Sequence, residues 1–326
     1  MVANSSIFNF KLFVSRAAYI LSIVIILDKL TGMALKYCYF HQSSGVYYRT
    51  TFSLEKTNAD IIILGNSRAN HHYVPEIFTS RLGLSCYNAG RDGQTYPYFI
   101  SLFKSMTKRY LPRIIILDLP DMLTSKKADF DRLSALLPYY ESHPEIRPFI
   151  NMKSRFEREK VCFSSIYPFN SLILVMLRFN FVAETDYEGY LPILSRMLPC
   201  GLEDRPEQRE KLEPSPDYIE MLESMICDAK RRGIVFILVA SPLFSEGIVH
   251  APEYAVIAKR NQIPFFDYSE DVKFRGNEEL FSDPCHLNDK AAAVFSNMLV
   301  DRMITEENGL IKAIVDRKHL SADCKY

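Results

Sequence analysis

The chain has 326 residues, in which 39 Lys+Arg balance 39 Asp+Glu to leave no net charge. Hydrophobic residues make up 48% and charged residues 24%, a globular composition that excludes a disordered or fibrous chain. The absence of a basic surplus or a long Lys/Arg run argues against nucleic acid and other polyanions as partners. Only 12 glycines and no tryptophan argue against a Gly-rich β-repeat or propeller.

Residues 17–27 (AAYILSIVIIL) are almost wholly apolar, and apolar character resumes at Leu30 and over 32–35. A helix over 17–35 could span a bilayer core of about 30 Å. Asp28 and Lys29 interrupt it; near the outer third they can snorkel towards the headgroups or partly neutralise each other. Lys11 and Arg16 flank its start and no acidic residue precedes Asp28, so the positive-inside rule puts the N-terminus in the cytoplasm. No clean small-residue cleavage motif follows. Residues 1–40 therefore read as an uncleaved single-pass anchor in the cytoplasmic membrane, with the rest of the chain on its outer side. Tyr37, Tyr39, Phe40, Tyr47 and Tyr48 would then form an interfacial aromatic cluster. The competing reading is an amphipathic helix packed on a soluble domain.

Beyond the anchor, the run 61–64 (IIIL) ending in Gly65 predicts a buried parallel strand. Val74, Pro75 and Glu76 open a helix that Gly83 ends. Residues 84–87 predict a second strand, 97–110 a helix and 113–118 a third strand. A long connection over about 124–215 follows, rich in aromatics and proline and without strand alternation. A stretch of that length predicts a functional insert or small helical subdomain covering the active-site edge. Its apolar run 171–181 carries Arg178 and is short, which predicts a buried helix rather than a second membrane pass. Ile219, Leu222, Ile226 and Ala229 mark one face of a helix ending at Gly233. Residues 234–240 and 264–267 predict strands four and five, and a last helix runs from about Asn288. Strands alternating with helices imply an open, doubly wound parallel sheet covered on both faces.

In such a sheet, ligands bind beyond the carboxyl ends of the strands. The polar motifs fall there: GNSR at 65–68 after strand one, NAGRDGQT at 88–95 after strand two, and DPCHLN at 283–288 before the last helix. A serine hydroxyl needs an imidazole to take its proton, and the imidazole needs a carboxylate to fix its tautomer. Ser67, His286 and Asp283 supply the three groups. The backbone N–H groups of Ser67 and Gly93 would form an oxyanion hole. His71 and His72 read as an exposed short segment without a role, and Asp118 as a ligand of loop backbone. Gly65, Asn88 and Gly90 read as turn residues. Seven cysteines, at 38, 86, 162, 200, 227, 285 and 324, show no CxxC and no metal-ligand spacing, so neither a metal nor a cofactor is expected.

These three motifs resemble blocks I, II and V of the SGNH (GDSL-type) hydrolase superfamily, over about 58–305 with the insert between. The resemblance implies a flavodoxin-like three-layer α/β/α fold and a Ser–His–Asp triad acting on acyl esters. It assigns Ser67 as nucleophile, Gly93 as the block II oxyanion glycine, and Asp283 and His286 as the DxxH pair. Two departures stand out. Asn66 replaces the commoner Asp of block I, and the segment after strand three has no block III Asn. A third oxyanion donor is then missing, or comes from the insert or the Ser241 turn. An N-terminal anchor on such a domain resembles membrane-bound proteins that acylate or deacylate envelope polymers. The expected function is thus a serine esterase or O-acyltransferase acting on acyl, chiefly acetyl, esters of cell-envelope carbohydrate. The rivals are a non-catalytic carbohydrate-binding or assembly protein on the same scaffold and a soluble lipase or thioesterase. Oligomeric state is left open.

Overall fold

The computed structural model of the chain describes residues 4–121, 123, 124, 126–197, 213–245, 250–305 and 309. Cys200, Cys324, part of the expected insert and the end of the expected 41–326 domain lie outside the described residues. Cys38, Cys86, Cys162, Cys227 and Cys285 are free thiols.

Helix α1 (Asn4–Phe40) leads into α2 (Gly45–Thr51). Strand β1 (Ile61–Leu64), α3 (Ser67–His72), α4 (Pro75–Leu82), β2 (Cys86–Asn88), α5 (Tyr96–Arg109) and β3 (Ile114–Asp118) follow in alternation. The next segment is helical in short pieces: α6 (Lys127–Asp131), α7 (Arg147–Ile150), α8 (Glu157–Phe163) and α9 (Ile173–Phe181). Alternation resumes with α10 (Pro216–Arg231), β4 (Val235–Ala240), α11 (Ala251–Asn261) and β5 (Phe265–Asp267). A small hairpin, β6 (Phe281–Asp283) and β7 (His286–Leu287), precedes α12 (Asp289–Thr305).

The five main strands pair in parallel in the order β2-β1-β3-β4-β5. This is the flavodoxin-type order, and its switch point lies where β1 hands over to β2 on one side and β3 on the other. Alternate residues of one strand face opposite layers. Ile62, Leu64, Ile115 and Leu117 join α5 and α10 in one core. Ile61, Ile63, Ile114 and Ile116 join α3, α4 and α12 in the other. All four residues of β1 are fully buried, and each such aliphatic side chain contributes about 1.5–3 kcal/mol relative to exposure. Strand β2 starts later than Leu84 because the Ser85 N–H and hydroxyl are bound to the Asp60 carboxylate, at 3.0 and 2.9 Å. The ladder therefore begins at the Ile61–Cys86 pair.

Two expectations fail here. Tyr39 and Tyr47 are buried and stacked on each other, with ring centroids 5.2 Å apart, and the Arg91 guanidinium lies over Tyr47. They belong to the core between α1, α2 and the domain rather than to an interfacial belt; of the five aromatics, Tyr37 is the one left largely exposed, at 63%. Helix α9, expected to be buried, buries Met176 and leaves Leu174 and Phe181 exposed. The helix touches the protein along one narrow edge, so an all-apolar sequence did not imply an all-buried helix. One stretch of α1, Phe10–Phe40, is long and apolar enough to cross a membrane, and its most apolar part is not buried against the protein.

Candidate active site

Ser67 is the first residue of α3, directly after the turn that leaves β1. That turn needs glycine: Gly65 has φ +149°, and a Cβ there would stand 2.7 Å from Ala69 Cβ and 2.9 Å from the Asp118 carbonyl. Asn66 caps α3 by accepting the Arg68 N–H at 3.0 Å, the role open to Asp at this position, so the block I departure preserves the turn.

The hairpin β6–β7 brings the partners. His286 Nε2 lies 2.7 Å from Ser67 Oγ, and its Nδ1 lies 2.9 and 2.8 Å from Asp283 Oδ1 and Oδ2. Asp283 Oδ1 also accepts the backbone N–H groups of Cys285 and His286, at 2.8 and 3.0 Å. This Asx turn points the carboxylate back at the imidazole three residues on. Burial by itself would raise the Asp283 carboxyl, but His286 and the two amides outweigh it and hold the group below its usual range. The side chain remains half exposed, so water screens part of this charge. The pair lies just before α12, on an antiparallel hairpin that the sequence motif did not indicate.

The loop after β2 is bound to α3 at several points. Gly90 packs so closely on α3 that a Cβ would stand 2.5 Å from the Asn70 nitrogen. Arg91 N donates to the Gly65 carbonyl at 3.0 Å, and Asn88 Nδ2 donates to the carbonyls of Ala69 and Tyr73 at 2.7 and 3.0 Å. Gly93 has φ +69° and its carbonyl accepts Arg132 Nη1 at 2.7 Å, a contact from the insert. Ser241, the other source considered for a third oxyanion donor, is fully buried and already engaged with His72 and Asp118.

The histidines after Ser67 are not an exposed segment. His72 is fully buried; its Nε2 accepts the Leu287 N–H at 3.0 Å, so Nδ1 carries the proton and donates to Ser241 Oγ at 3.1 Å. It thereby ties the end of α3 to the residue beside His286. Burial and neighbouring positive charge keep this ring neutral. Asp118 accepts Tyr73 Oη at 2.6 Å and the Ser241 N–H at 3.2 Å beside Arg68, whose Nη1 lies 2.9 Å from Asp121 Oδ1. The segment after β3 thus secures the residue next to Ser67. Among the described residues no group of three His, Cys, Asp or Glu side chains could hold a metal ion.

His71 stands edge-on to His286, with ring centroids 5.5 Å apart. Its Nδ1 faces the Leu191 carbonyl at 2.7 Å and its Nε2 the Asp92 carboxylate at 3.2 Å. Two acceptors are satisfied together only by the doubly protonated ring. Burial would lower the His71 value, but Asp92 and the Leu191 carbonyl raise it; burial would raise Asp92, but His71 and Asn70 hold it at about 2. The pair therefore stabilises the fold fully above about pH 4 and below about pH 6.5, the ordinary values of the two groups. Its contribution is lost as pH rises through the raised histidine value, or falls through the depressed carboxylate value. Asp92→Asn should lower the unfolding midpoint more at pH 5 than at pH 9, measured by thermal unfolding. An equal loss at both values would remove the charge pair as the cause.

No family model matches the sequence, and no curated protein matches it. Solved structures similar to the chain include a GDSL-like lipase from Bacteroides thetaiotaomicron, 15% identical with TM-score 0.37, covering 76% of this chain and 87% of that one. An acetyl xylan esterase is 12% identical with TM-score 0.36, covering 76% of this chain and 99% of that one. The similarity lies in the fold and assigns no role to Ser67, His286 or Asp283.

Proposed function

We propose that the chain is a serine esterase or O-acyltransferase that works through an acyl-Ser67 intermediate. The observation that carries this reading is the unbroken hydrogen-bonded line from Ser67 Oγ through both nitrogens of His286 to Asp283. In the first half-reaction Ser67 Oγ attacks the ester carbonyl carbon while His286 Nε2 takes its proton. Asp283 stabilises the imidazolium, and the Ser67 and Gly93 amides hold the oxyanion. The C–O bond then breaks, with His286 returning the proton to the leaving alcohol. In the second half, water or a sugar hydroxyl gives its proton to His286 and attacks the acyl carbon; the acyl–Oγ bond then breaks and His286 returns the proton to Ser67 Oγ.

The substrate we infer is an acyl ester, chiefly acetyl, of cell-envelope carbohydrate. Support comes from the motif resemblance and from the exposed apolar helix. Residues 1–40 then form a single-pass anchor in the cytoplasmic membrane with the N-terminus inside. Residues 41–326 form the catalytic domain on the outer side, with the insert at about 124–215. A second reading, a carbohydrate-binding protein without turnover, draws on the missing block III Asn. Asp118 and Asp121, in that segment, are committed to Arg68.

A fluorophosphonate probe on the detergent-solubilised full chain separates the two. Mass spectrometry should find the adduct on Ser67, and Ser67→Ala and His286→Ala should abolish it. Folded wild-type protein that takes no label would favour the binding protein.

A further inference from the structure

The exposed apolar surface is not confined to α1. On α9, Leu174, Leu177 and Phe181 follow the i, i+3, i+7 spacing of one helix stripe, and they are 84%, 42% and 85% exposed. Phe163, at the end of α8, is 85% exposed. Single exposed apolar residues need no explanation, but a stripe on a helix bound beside another exposed apolar helix does.

That neighbour is α1, and the contact between them is polar and specific. The Asp28 carboxylate accepts Ser164 Oγ at 2.6 Å and the Ser165 N–H at 2.7 Å. Lys29 Nζ donates to Ser165 Oγ at 3.0 Å, and Asn180 Nδ2 donates to the Cys38 carbonyl at 3.2 Å. Gly32 lies so close to Ser165 that a Cβ there would stand 2.3 Å from the serine Cβ. The two charges that interrupt the apolar helix are therefore answered by the loop between α8 and α9. They do not reach for headgroups, as the sequence suggested.

Length makes this contact informative. Between Arg16 and Asp28 lie 11 residues, 17–27. They rise about 16 Å as helix, roughly half of a hydrocarbon core of about 30 Å. With Arg16 at one boundary, about 20 residues of helix are needed to reach the other, which falls near Lys36. The level of α1 that must still be in hydrocarbon, 28–32, is the level at which the loop between α8 and α9 is bound to it, and the end of α9 meets Cys38 at the boundary.

We propose that Phe163 and the stripe Leu174, Leu177 and Phe181 insert into the leaflet on the side of the catalytic domain, beside α1. The insert and the anchor then form one membrane seat. The proposal rests on the anchor reading of α1. The partner is the acyl-chain region of a lipid bilayer, with Arg178 on the same stripe able to snorkel to the phosphates. The seat also bears on the site. The chain leaving α9 runs to Gly189, which abuts the Asn88 carbonyl, and to Leu191, whose carbonyl holds His71. A membrane-bound α9 would thus fix the wall of the active site relative to the bilayer.

The chain contains no tryptophan, so single-tryptophan variants report without background. The full chain is reconstituted into phosphatidylcholine vesicles, with or without lipid brominated on its acyl chains. Phe163→Trp, Phe181→Trp, Val24→Trp in α1 and Val272→Trp, 93% exposed after β5, are compared. Brominated lipid should quench the tryptophans at 163, 181 and 24 and leave the one at 272 unchanged. If Val24→Trp is quenched by the lipid while those at 163 and 181 respond to aqueous acrylamide instead, the anchor stands and the seat is overturned. If Val24→Trp also escapes the brominated lipid, the anchor reading fails and the proposal fails with it.

Discussion

Ser67→Ala is expected to lower kcat for an acetyl ester by about 10⁴-fold or more, because the group that forms the covalent bond is gone. The change removes Oγ and its 2.7 Å bond to His286 while leaving the α3 cap intact, since Asn66 supplies it. The fold should therefore lose no more than about 1.5 kcal/mol, the scale of one hydrogen bond. Urea unfolding and initial-rate kinetics with p-nitrophenyl acetate check the two halves together. A folded variant that kept wild-type turnover would remove Ser67 from the chemistry.

Asp283→Asn tests a different part of the line. The amide keeps Oδ1, so the Cys285 and His286 N–H groups retain their acceptor and the turn survives. The Nδ2 that replaces Oδ2 can only donate, and it faces His286 Nδ1 at the 2.8 Å position. Nδ1 then meets a donor at that position and, 2.9 Å away, an Oδ1 that already accepts two N–H groups, which biases the proton towards Nε2, where Ser67 needs an acceptor. The expected loss is about 10⁴-fold in kcat with KM little changed, on the pattern of such substitutions in triads. Half-exposure of Asp283 screens its charge but does not change the tautomer argument. A loss confined to KM would mean that Asp283 shapes the binding cleft rather than the base.

Much of the scaffold was legible locally. Runs such as 61–64 and 235–240 are short, β-branched and fully apolar, and only a strand covered on both faces accommodates them. The motifs of the candidate site were legible too, because GNSR and DPCHLN combine turn formers with Ser, Asp and His side chains. The hairpin β6–β7 was not, since its two- and three-residue strands mix polar and apolar side chains and exist through tertiary pairing. His72 was misjudged because an HH pair after a strand end looks solvated. Its burial depends on Ser241 and Leu287, which come from 169 and 215 residues further along the chain.

The sequence by itself determined the alternation of the five main strands with helices, the place of the candidate site at the carboxyl end of β1 and the apolar length of α1. These follow from side-chain period and turn chemistry within a dozen residues. Only the tertiary structure decided which apolar and charged groups are covered. It buried Tyr39 and Tyr47, left Leu174 and Phe181 bare, answered Asp28 with Ser164 and Ser165, and set His71, paired with Asp92, edge-on to His286. Hydrophobic pattern fixes which face of an element can be buried. Whether that face meets protein, water or lipid depends on partners brought from far along the chain.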